Sequence, residues 1–368
     1  MSTTKLSIVQ VTDQLNVGGA ERIVVTLSNL FHRHGHEVTV LTTVRPGPLA
    51  SSLNKGIRQI TLNRGWKWNP ITLYRLYSTI EHFDIIHVHS FYNLRYVLLA
   101  TRFFGLRKKI VYHEHSGYVQ PTDSVSRLKK YLLHQTLFIA VSERLQQWAV
   151  TRAAIPAEQV FLLPNTVERV YTAKQLHKEN THKRVIVVSN FIPNKNIAFA
   201  IRLLIELRLK KGIDIDLVIV GKIYDEAYYR EILQQVEAAN LAAYIEIIPS
   251  CDEVQKLLPT FDLALHTSFN ESGPLVLIEY LAQELPFLSY QTGEVAAIVQ
   301  QELPAFILDS FETDQWVESI LHILAQPKEI WQAALTGLYE KHFSTEGYYR
   351  KCLSVYEQAF AENLTGKG

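Results

Sequence analysis

The amino-acid sequence predicts an α/β protein made of two doubly wound, Rossmann-like domains that face a cleft. Buried-strand and amphipathic-helix patterns alternate along both halves of the chain, which indicates parallel sheets covered on both faces. The length of 368 residues also favours two hydrophobic cores over one. We place the domains at residues 1–170 and 184–345, a polar linker at 171–183, and at 346–368 a C-terminal helix that packs on or across the domains.

Charge and cysteine content narrow the class of protein. The 37 Lys and Arg residues balance 36 Asp and Glu residues, so no overall field favours nucleic acid as a partner. Two cysteines, Cys251 and Cys352, are too few for a disulfide scaffold and favour a reducing compartment. No signal-peptide core or membrane-spanning apolar run is present. We therefore expect a cytoplasmic protein, with peripheral contact at the inner membrane face left open.

A glycine turn follows the first predicted strand, Leu6–Val11. Gly18 and Gly19 open an amphipathic helix, but the Gly-x-Gly-x-x-Gly spacing of a dinucleotide site is absent. The pair is either a tight strand-to-helix turn or a point where backbone comes close to a phosphate or sugar. The sequence leaves both interpretations open.

Two later strands each end in a histidine pair, His87 with His89 and His113 with His115. The period of two places each pair on one face, at the carboxyl ends where ligands bind in parallel sheets. We interpret His87 and His113 as hydrogen-bonded imidazoles at the sheet edge. A metal site built from both pairs is the alternative, but the spacing matches no recognised ligand pattern and we predict no metal.

Two segments of the first half, Arg102–Lys109 and Arg127–Leu133, mix cations with apolar side chains. Such a pattern is typical of a solvated helix face, or of a surface that holds an anionic membrane or a lipid diphosphate. Trp66 and Trp68 lie in a polar loop and either pack on a neighbour or contact an acceptor sugar or lipid headgroups. Peripheral membrane contact therefore stays an open prediction.

The remaining elements continue the alternation of strand and helix. Further strands are predicted at Val38–Thr42, Ile57–Leu62, Leu137–Ser142, Val160–Asn165, Arg184–Ser189, Asp216–Val220, Ile245–Ile248, Asp262–Thr267, Pro286–Ser289 and Ala305–Leu308, and helices at Ile71–Glu81, Asn196–Lys210 and Asp225–Ala239. Lys195 lies in the loop after the first strand of the second half. A cation there is placed to neutralise a bound phosphate.

The stretch Phe269–Ala282 reads as the loop and helix of a strand-loop-helix unit. Gly273 permits a tight turn, Pro274 suits the first turn of a helix, and the loop delivers free amides at the helix start. Such amides bind phosphate with the help of the helix dipole. Glu271 precedes the helix and Glu279 lies within it, and carboxylates beside an anion site suit hydroxyls. The stretch predicts a nucleotide-sugar pocket.

Together these motifs resemble the retaining GT-B glycosyltransferases of glycosyltransferase family four. The resemblance covers nearly the whole chain and rests on Gly18–Arg22, His113–His115, Ala140–Glu143, Leu163–Asn165, Lys195–Asn196 and, above all, Glu271-x7-Glu279 followed by Pro286 and Gly293. It implies that Glu271 contacts the donor sugar and Glu279 the nucleotide ribose. It further implies that the amides of Ser272, Gly273, Pro274, Leu275 and Val276 hold the diphosphate, with Gly18 and Gly19 approaching from the other domain and His115 near the reacting sugar.

The sequence departs from the family pattern at several positions. The usual Arg-x4-Lys pair reads Asn190-x4-Lys195, so one of the two cations expected on the leaving diphosphate is missing at this donor-binding position. Thr166 and Glu284 replace glycines at turns, and Tyr280 replaces a small residue.

The resemblance implies a metal-independent, retaining glycosyltransferase that uses a UDP- or GDP-linked sugar and no cofactor. Its catalytic candidates are Glu271, Lys195 and His115, and we expect the acceptor to be a glycan or lipid-linked glycan of the cell envelope. The alternatives are a nucleotide-sugar 2-epimerase, a metal-dependent hydrolase built on the histidines, and a non-catalytic sugar-nucleotide-binding protein.

Overall fold

The computed structural model describes residues 5–65, 69–115, 125–171, 182–251 and 253–365. In the first half its elements are β1 (Ser7–Thr12), α1 (Gly19–Arg33), β2 (Glu37–Thr42), β3 (Arg58–Thr61), α2 (Pro70–Ile80), β4 (Ile85–His89), α3 (Phe91–Phe103), β5 (Ile110–Glu114), α4 (Arg127–Leu133), β6 (Thr136–Ala140), α5 (Glu143–Thr151) and β7 (Val160–Leu162). Trp66, Trp68 and most of the predicted linker lie outside the described residues.

The second half continues the alternation. Its elements are β8 (Lys183–Val188), α6 (Ile197–Ile205), β9 (Ile215–Val220), α7 (Glu226–Ala238), β10 (Ile245–Ile248), α8 (Val254–Leu257), β11 (Leu263–His266), α9 (Leu275–Ala282), β12 (Phe287–Tyr290), α10 (Gly293–Glu302), β13 (Ile307–Leu308), α11 (Thr313–Leu324), α12 (Glu329–Leu338) and α13 (Thr345–Leu364). Within the described residues, no helix combines the length and apolar character needed to cross a membrane.

The elements form two compact units, and each contains one parallel sheet. The first unit joins Met1–Thr166 to Thr345–Gly368, and its seven strands run in the order β3-β2-β1-β4-β5-β6-β7. The second unit spans Val167–Ser344, and its six strands run in the order β10-β9-β8-β11-β12-β13. Both orders reverse direction beside the first strand, as in doubly wound folds, so the predicted fold class is confirmed.

The first sheet is covered on both faces. Helices α2 to α5 pack one face through a buried apolar cluster that includes Leu76, Leu94 and Leu145. On the other face, Phe31 of α1 lies 4.6 Å from Tyr356 of α13, measured between ring centroids. The prediction of a C-terminal helix that packs on the domains is confirmed, since α13 completes the first unit.

The unit boundary differs slightly from the predicted domain end at residue 170. The backbone of Val167–Val170 groups with the second unit because its polar groups bond there. Tyr339 Oη donates to the carbonyl oxygen of Val167 at 2.9 Å, and the amide of Val170 donates to Gln255 Oε1 at 3.1 Å. The chain therefore leaves the first unit at Thr166.

Candidate active site

The predicted donor loops lie at the reversal point of the second sheet. One loop follows β8 and carries Lys195, and the other follows β11 and carries Glu271. Three hydrogen bonds join them: the Phe269 amide to the Asn194 carbonyl at 2.9 Å, Asn194 Nδ2 to the Asn270 carbonyl at 2.8 Å, and Thr267 Oγ1 to the Lys195 carbonyl at 3.0 Å. Ligands of open α/β sheets bind at this position.

The start of α9 has the geometry of an anion site. Pro274 is the residue just before the first helical residue, Leu275, rather than a member of the first turn as predicted. No side chain among the described residues caps the helix at Pro274. Leu275 and Val276 are partly exposed. An uncapped helix start presents backbone N–H groups and the positive end of the helix dipole to a ligand.

Glu271 is held beside this helix start by three groups. Its carboxylate pairs with Lys195 Nζ, and His266 Nε2 lies 3.7 Å from its Oε1. The Glu271 amide donates to Thr292 Oγ1 at 2.8 Å. Burial alone would raise the pKa of Glu271, but His266 and Lys195 together hold it at about 2. Glu271 is therefore an oriented carboxylate.

His266 is itself fixed from behind. Ser289 Oγ donates to the carbonyl oxygen of Tyr290 at 2.8 Å, so it accepts from His266 Nδ1, which lies 3.0 Å away. Burial lowers the pKa of His266, and the neighbouring carboxylate of Glu271 only partly opposes this. The imidazole is thus a rigid polar wall behind Glu271.

The structure gives Lys195 a partner that the sequence did not indicate. We predicted that this ammonium faces a phosphate, whereas here it neutralises Glu271 across loops separated by 76 residues. A diphosphate at the start of α9 would compete with Glu271 for the same cation. Lys195 therefore links the predicted sugar-binding acid to the predicted leaving group.

Gly293 supports the loop that carries Glu271. Its φ is +80°, and a Cβ atom built on it would lie 2.9 Å from Pro274 Cδ and 3.1 Å from the carbonyl oxygens of Glu271 and Ser272. The adjacent Glu294 amide donates to the Ser272 carbonyl at 2.8 Å. The start of α10 is thus packed directly against the loop at Glu271–Pro274.

Two other predicted donor residues have defined surroundings. Glu279 lies in the second turn of α9 and is only 7% exposed. Asn190, which replaces the expected arginine, accepts a hydrogen bond from the Lys222 amide at 3.1 Å through Oδ1. Asn190 thus joins the loops after β8 and β9.

The departures from the family pattern are accommodated locally. Tyr280 is fully buried and its Oη accepts from the Val188 amide at 3.3 Å. Glu284 adopts a positive φ of 56°, and its carboxylate pairs with Arg169 and accepts from Thr336 Oγ1 at 3.0 Å. The charge pair explains how a non-glycine residue is tolerated in a left-handed conformation.

The other predicted site residues lie in the first unit, at the reversal point beside β1 and β4. Gly18 is the residue before α1, and Gly19 is the first helical residue, as predicted for a glycine turn. His115 follows β5, and its Nε2 lies 2.9 Å from His89 Nδ1. Gly18, Gly19 and His115 thus share the carboxyl edge of the first sheet.

The histidine pairs form one buried cluster. His87 Nδ1 lies 2.6 Å from Tyr356 Oη, and His89 Nε2 lies 2.7 Å from Gln10 Oε1. The interpretation of His87 as a hydrogen-bonded imidazole is confirmed. The same interpretation of His113 is wrong for the described residues, where neither of its ring nitrogens has a hydrogen-bond partner.

The histidine cluster is held in the neutral form. Burial lowers the pKa of His87, His89 and His113 well below 6.5, and neighbouring histidines add to the effect. Burial also lowers the pKa of His115 to about 3. Neutral imidazoles keep lone pairs available to a proton donor or a metal.

A metal could approach three of these rings. One ring nitrogen from each of His87, His89 and His113 lies within 4.8 Å of the others. However, the rings of His87 and His113 are stacked at 9°, and both nitrogens of His89 already face polar partners. Rings that bind one metal converge on it instead of stacking. The absence of a metal stays a prediction.

Comparison with known proteins agrees with this two-part arrangement. Residues 17–171 match the family model described as Glycosyltransferase Family 4, and residues 171–334 match the model described as Glycosyl transferases group 1. The chain is a glycosyltransferase. The two models meet at residue 171, close to where the chain passes from the first unit to the second.

Individual relatives are distant but extensive. The glycosyltransferase is 25% identical to putative glycosyltransferase EpsF of Bacillus subtilis (strain 168), over 78% of this chain and 79% of that protein. It is 24% identical to N-acetyl-alpha-D-glucosaminyl L-malate synthase of Bacillus anthracis, over 96% of this chain and 97% of that protein.

Solved structures share its fold. A glycosyltransferase from Rickettsia africae superposes with a TM-score of 0.81 and 17% identity, covering 97% of this chain and 99% of that chain. Anabaena HepE, solved in complex with UDP and glucose, superposes with a TM-score of 0.76 and 17% identity, covering 96% of this chain and 99% of that chain. These likenesses show a GT-B fold.

Sequence reasoning missed several residues that shape the glycosyltransferase's site. His266, Ser289 and Thr292 hold Glu271, and Tyr356 reaches the histidine cluster from α13. His266 ends a buried strand just before the donor loop, and that position was an available signal. No local pattern marks the other three, because their partners lie far away in sequence.

Proposed function

We propose that this glycosyltransferase transfers a sugar from a nucleotide-diphosphate donor to an acceptor with retention of anomeric configuration. The observation that carries the proposal is the placement of Glu271, an oriented carboxylate held by Lys195, His266 and Thr292 beside the uncapped start of α9. The GT-B structure of Anabaena HepE in complex with UDP and glucose supports a nucleotide-sugar donor.

Each part of the donor has a chemically matched group. The amides at the start of α9 suit the diphosphate, because they are fixed donors at the positive end of a helix. Glu271 suits the sugar hydroxyls, since a carboxylate with a pKa of about 2 accepts hydrogen bonds at any physiological pH. Glu279 suits the ribose hydroxyls from the second turn of the same helix.

Lys195 is the group that stabilises the departing charge. Before the donor binds, its ammonium is neutralised by Glu271. When a diphosphate arrives, the cation is shared between the carboxylate and the phosphate oxygens, and its attraction grows as the leaving group gains negative charge. Preorganised charges of this kind stabilise a transition state without reorganisation.

We propose front-face transfer for the chemical step. The bond from the anomeric carbon to the phosphate oxygen breaks through an oxocarbenium-like state, and the acceptor oxygen bonds to the same face. The acceptor proton passes to the departing phosphate oxygen, so no metal is required. His115 would lie beside the reacting sugar, where a neutral imidazole can accept a hydrogen bond.

A glycan or lipid-linked glycan of the cell envelope is the proposed acceptor class. Two further relatives support it by name, an amylovoran biosynthesis glycosyltransferase of Erwinia amylovora and a component of human phosphatidylinositol N-acetylglucosaminyltransferase. UDP- and GDP-linked sugars are the donors to test first.

The donor site can be tested by thermal shift with a panel of nucleoside diphosphates and nucleotide sugars, because a ligand that binds only the native state raises the unfolding temperature. We expect one base to stabilise the wild type. Glu271→Gln should lower sugar transfer by about two orders of magnitude, the size typical of losing one preorganised group. Glu253→Gln, at an exposed carboxylate of the same unit, should change neither readout.

Several outcomes would contradict the proposal. Full transfer by a folded Glu271→Gln variant would remove the central role of this carboxylate. Conversion of the donor sugar without any acceptor would indicate an epimerase. Donor binding with no release of nucleoside diphosphate, across a panel of glycan and lipid-linked acceptors, would indicate a non-catalytic binding protein.

A further inference from the structure

Three neighbouring helices of the first unit present an unusual surface. Each of the five large apolar residues Ile71, Tyr74, Phe103, Leu128 and Tyr131 is more than half exposed. We call this set the aromatic ribbon. Its members come from the outer faces of α2, α3 and α4, whose inner faces pack into the buried cluster of the first unit. The outer faces have no covering element among the described residues.

Ring contacts make the ribbon continuous from helix to helix. Tyr74 of α2 lies 5.6 Å from Phe104, measured between ring centroids, and Phe104 lies 5.0 Å from Phe103. Arg102 of α3 stacks over Tyr131 of α4 with its Cζ 4.7 Å from the ring centroid. The apolar side chains therefore lie along one surface instead of being scattered singly.

The charge of this surface has one sign. The helices α2, α3 and α4 contain no aspartate or glutamate, and their cations are Arg75, Arg95, Arg102, Arg127, Lys129 and Lys130. The whole chain is almost neutral, with a formal net charge of +1, so this local excess is compensated elsewhere. An exposed apolar strip flanked only by cations is complementary to an anionic lipid surface.

We propose that the aromatic ribbon and its flanking arginines dock the protein onto an anionic membrane surface. The aromatic and aliphatic side chains insert at the headgroup level, where Tyr is favoured, and the guanidinium groups pair with lipid phosphates. A nucleic acid would use the cations but would have no need of Leu128 and Ile71. The docking rests on the first unit alone and deepens the proposed function, because it brings the enzyme to lipid-linked acceptors.

Vesicle co-sedimentation of the full chain tests the proposal without donor or acceptor. We expect binding to vesicles of phosphatidylcholine with phosphatidylglycerol, weakened by salt, and little binding to phosphatidylcholine alone. Arg75→Gln with Arg127→Gln should weaken the apparent affinity on the order of tenfold, since each cation near the surface contributes to attraction. Phe103→Ser with Leu128→Ser should weaken it comparably.

The second unit offers a control with the same loss of charge. Lys210→Gln with Arg230→Gln alters two exposed cations outside this surface and should leave vesicle binding unchanged. All four substituted side chains of the ribbon variants are exposed, so folding should be retained, and far-ultraviolet circular dichroism would verify it.

Three results would overturn the docking proposal. These are equal binding to neutral vesicles, no vesicle binding by the folded wild type, and a loss of binding in the arginine variant with none in the Phe103 and Leu128 variant. The last result would indicate a polyanion site without insertion. Because donor binding is measured separately by thermal shift, failure here leaves the donor-site proposal intact.

Discussion

At the scale of single residues, the donor site depends on how Glu271 is held. A carboxylate with freely rotating bonds would lose conformational entropy on binding a sugar, whereas Glu271 is already fixed by Lys195, His266 and Thr292. The same contacts keep its pKa at about 2 despite burial. The three partners thus set both the orientation and the charge of this acid.

Gly293 gives a residue-scale prediction about the loop that carries Glu271. Gly293→Ala should reduce the free energy of unfolding by more than the roughly 1–2 kcal/mol expected for placing alanine at positive φ, because its Cβ would also contact Pro274 and two carbonyl oxygens. The donor-induced thermal shift should shrink as well. Urea denaturation and the thermal-shift assay measure the two effects.

Gly212 provides the matched control. It also has a positive φ, +68°, but a Cβ there would meet nothing within 4 Å. Gly212→Ala should show the conformational cost alone and keep the donor shift. Equal losses of stability and of donor shift in both variants would show that the contact with Pro274 is unimportant.

At the scale of secondary-structure elements, β4 and β5 place several neutral histidines in the interior of the first unit. Their folded-state pKa values are depressed, so they stay neutral while unfolded histidines take up protons below about pH 6.5. Stability is therefore fully present above pH 6.5 and is lost as pH falls toward the folded-state pKa values.

We predict that His113→Leu reduces this pH dependence. His113 is fully buried with no hydrogen-bond partner among the described residues, so an apolar replacement should be tolerated. Below pH 6.5 it should remove about 1.4 kcal/mol of the stability lost per pH unit, the value for one proton. Hydrogen exchange of β4 and β5 amides between pH 5 and 8 (about one unit either side of the histidine range) would measure it.

His82 serves as the comparison, because its side chain is largely exposed. His82→Leu should leave the pH dependence of the same amides close to that of the wild type. An unchanged slope in His113→Leu would mean that this imidazole does not remain neutral in the folded protein.

At the scale of the whole molecule, the chain returns to its first unit after completing the second. Helix α13 belongs to the first unit although its residues follow the second unit in sequence. Tyr356 is the main anchor, since its Oη accepts from Gln10 Nε2 at 2.9 Å and contacts His87, 269 residues away in sequence. The first unit therefore needs both ends of the chain.

Tyr356→Ala should destabilise the first unit selectively. The substitution removes a fully buried ring and two polar contacts, which costs about 3–5 kcal/mol for large aromatic residues. Amides of the first sheet should exchange faster while amides of the second sheet keep their protection. Ser354→Ala, at an exposed position of the same helix, should alter neither sheet. Equal loss of protection in both sheets would contradict two separately stable units.

Much of the fold was predictable because it is encoded locally. Strand and helix periods identify the alternating elements, and the carboxyl ends of those strands locate the loops of Gly18, Lys195 and Glu271. Element ends were less predictable. The helix predicted to extend to Lys210 is regular only to Ile205, and a wider turn over Glu206–Lys210 follows, because a helical sequence pattern does not distinguish these two hydrogen-bond spacings.

By itself, the sequence determined the two doubly wound domains, the glycine turns and the paired acids Glu271 and Glu279, since each is written in neighbouring residues. Only the tertiary structure decided that Lys195 faces Glu271, that His266 and Thr292 hold the same acid, and that α13 closes the first unit. The physical reason is distance along the chain. Side-chain partners are chosen by how separate loops pack, and no local period records that packing.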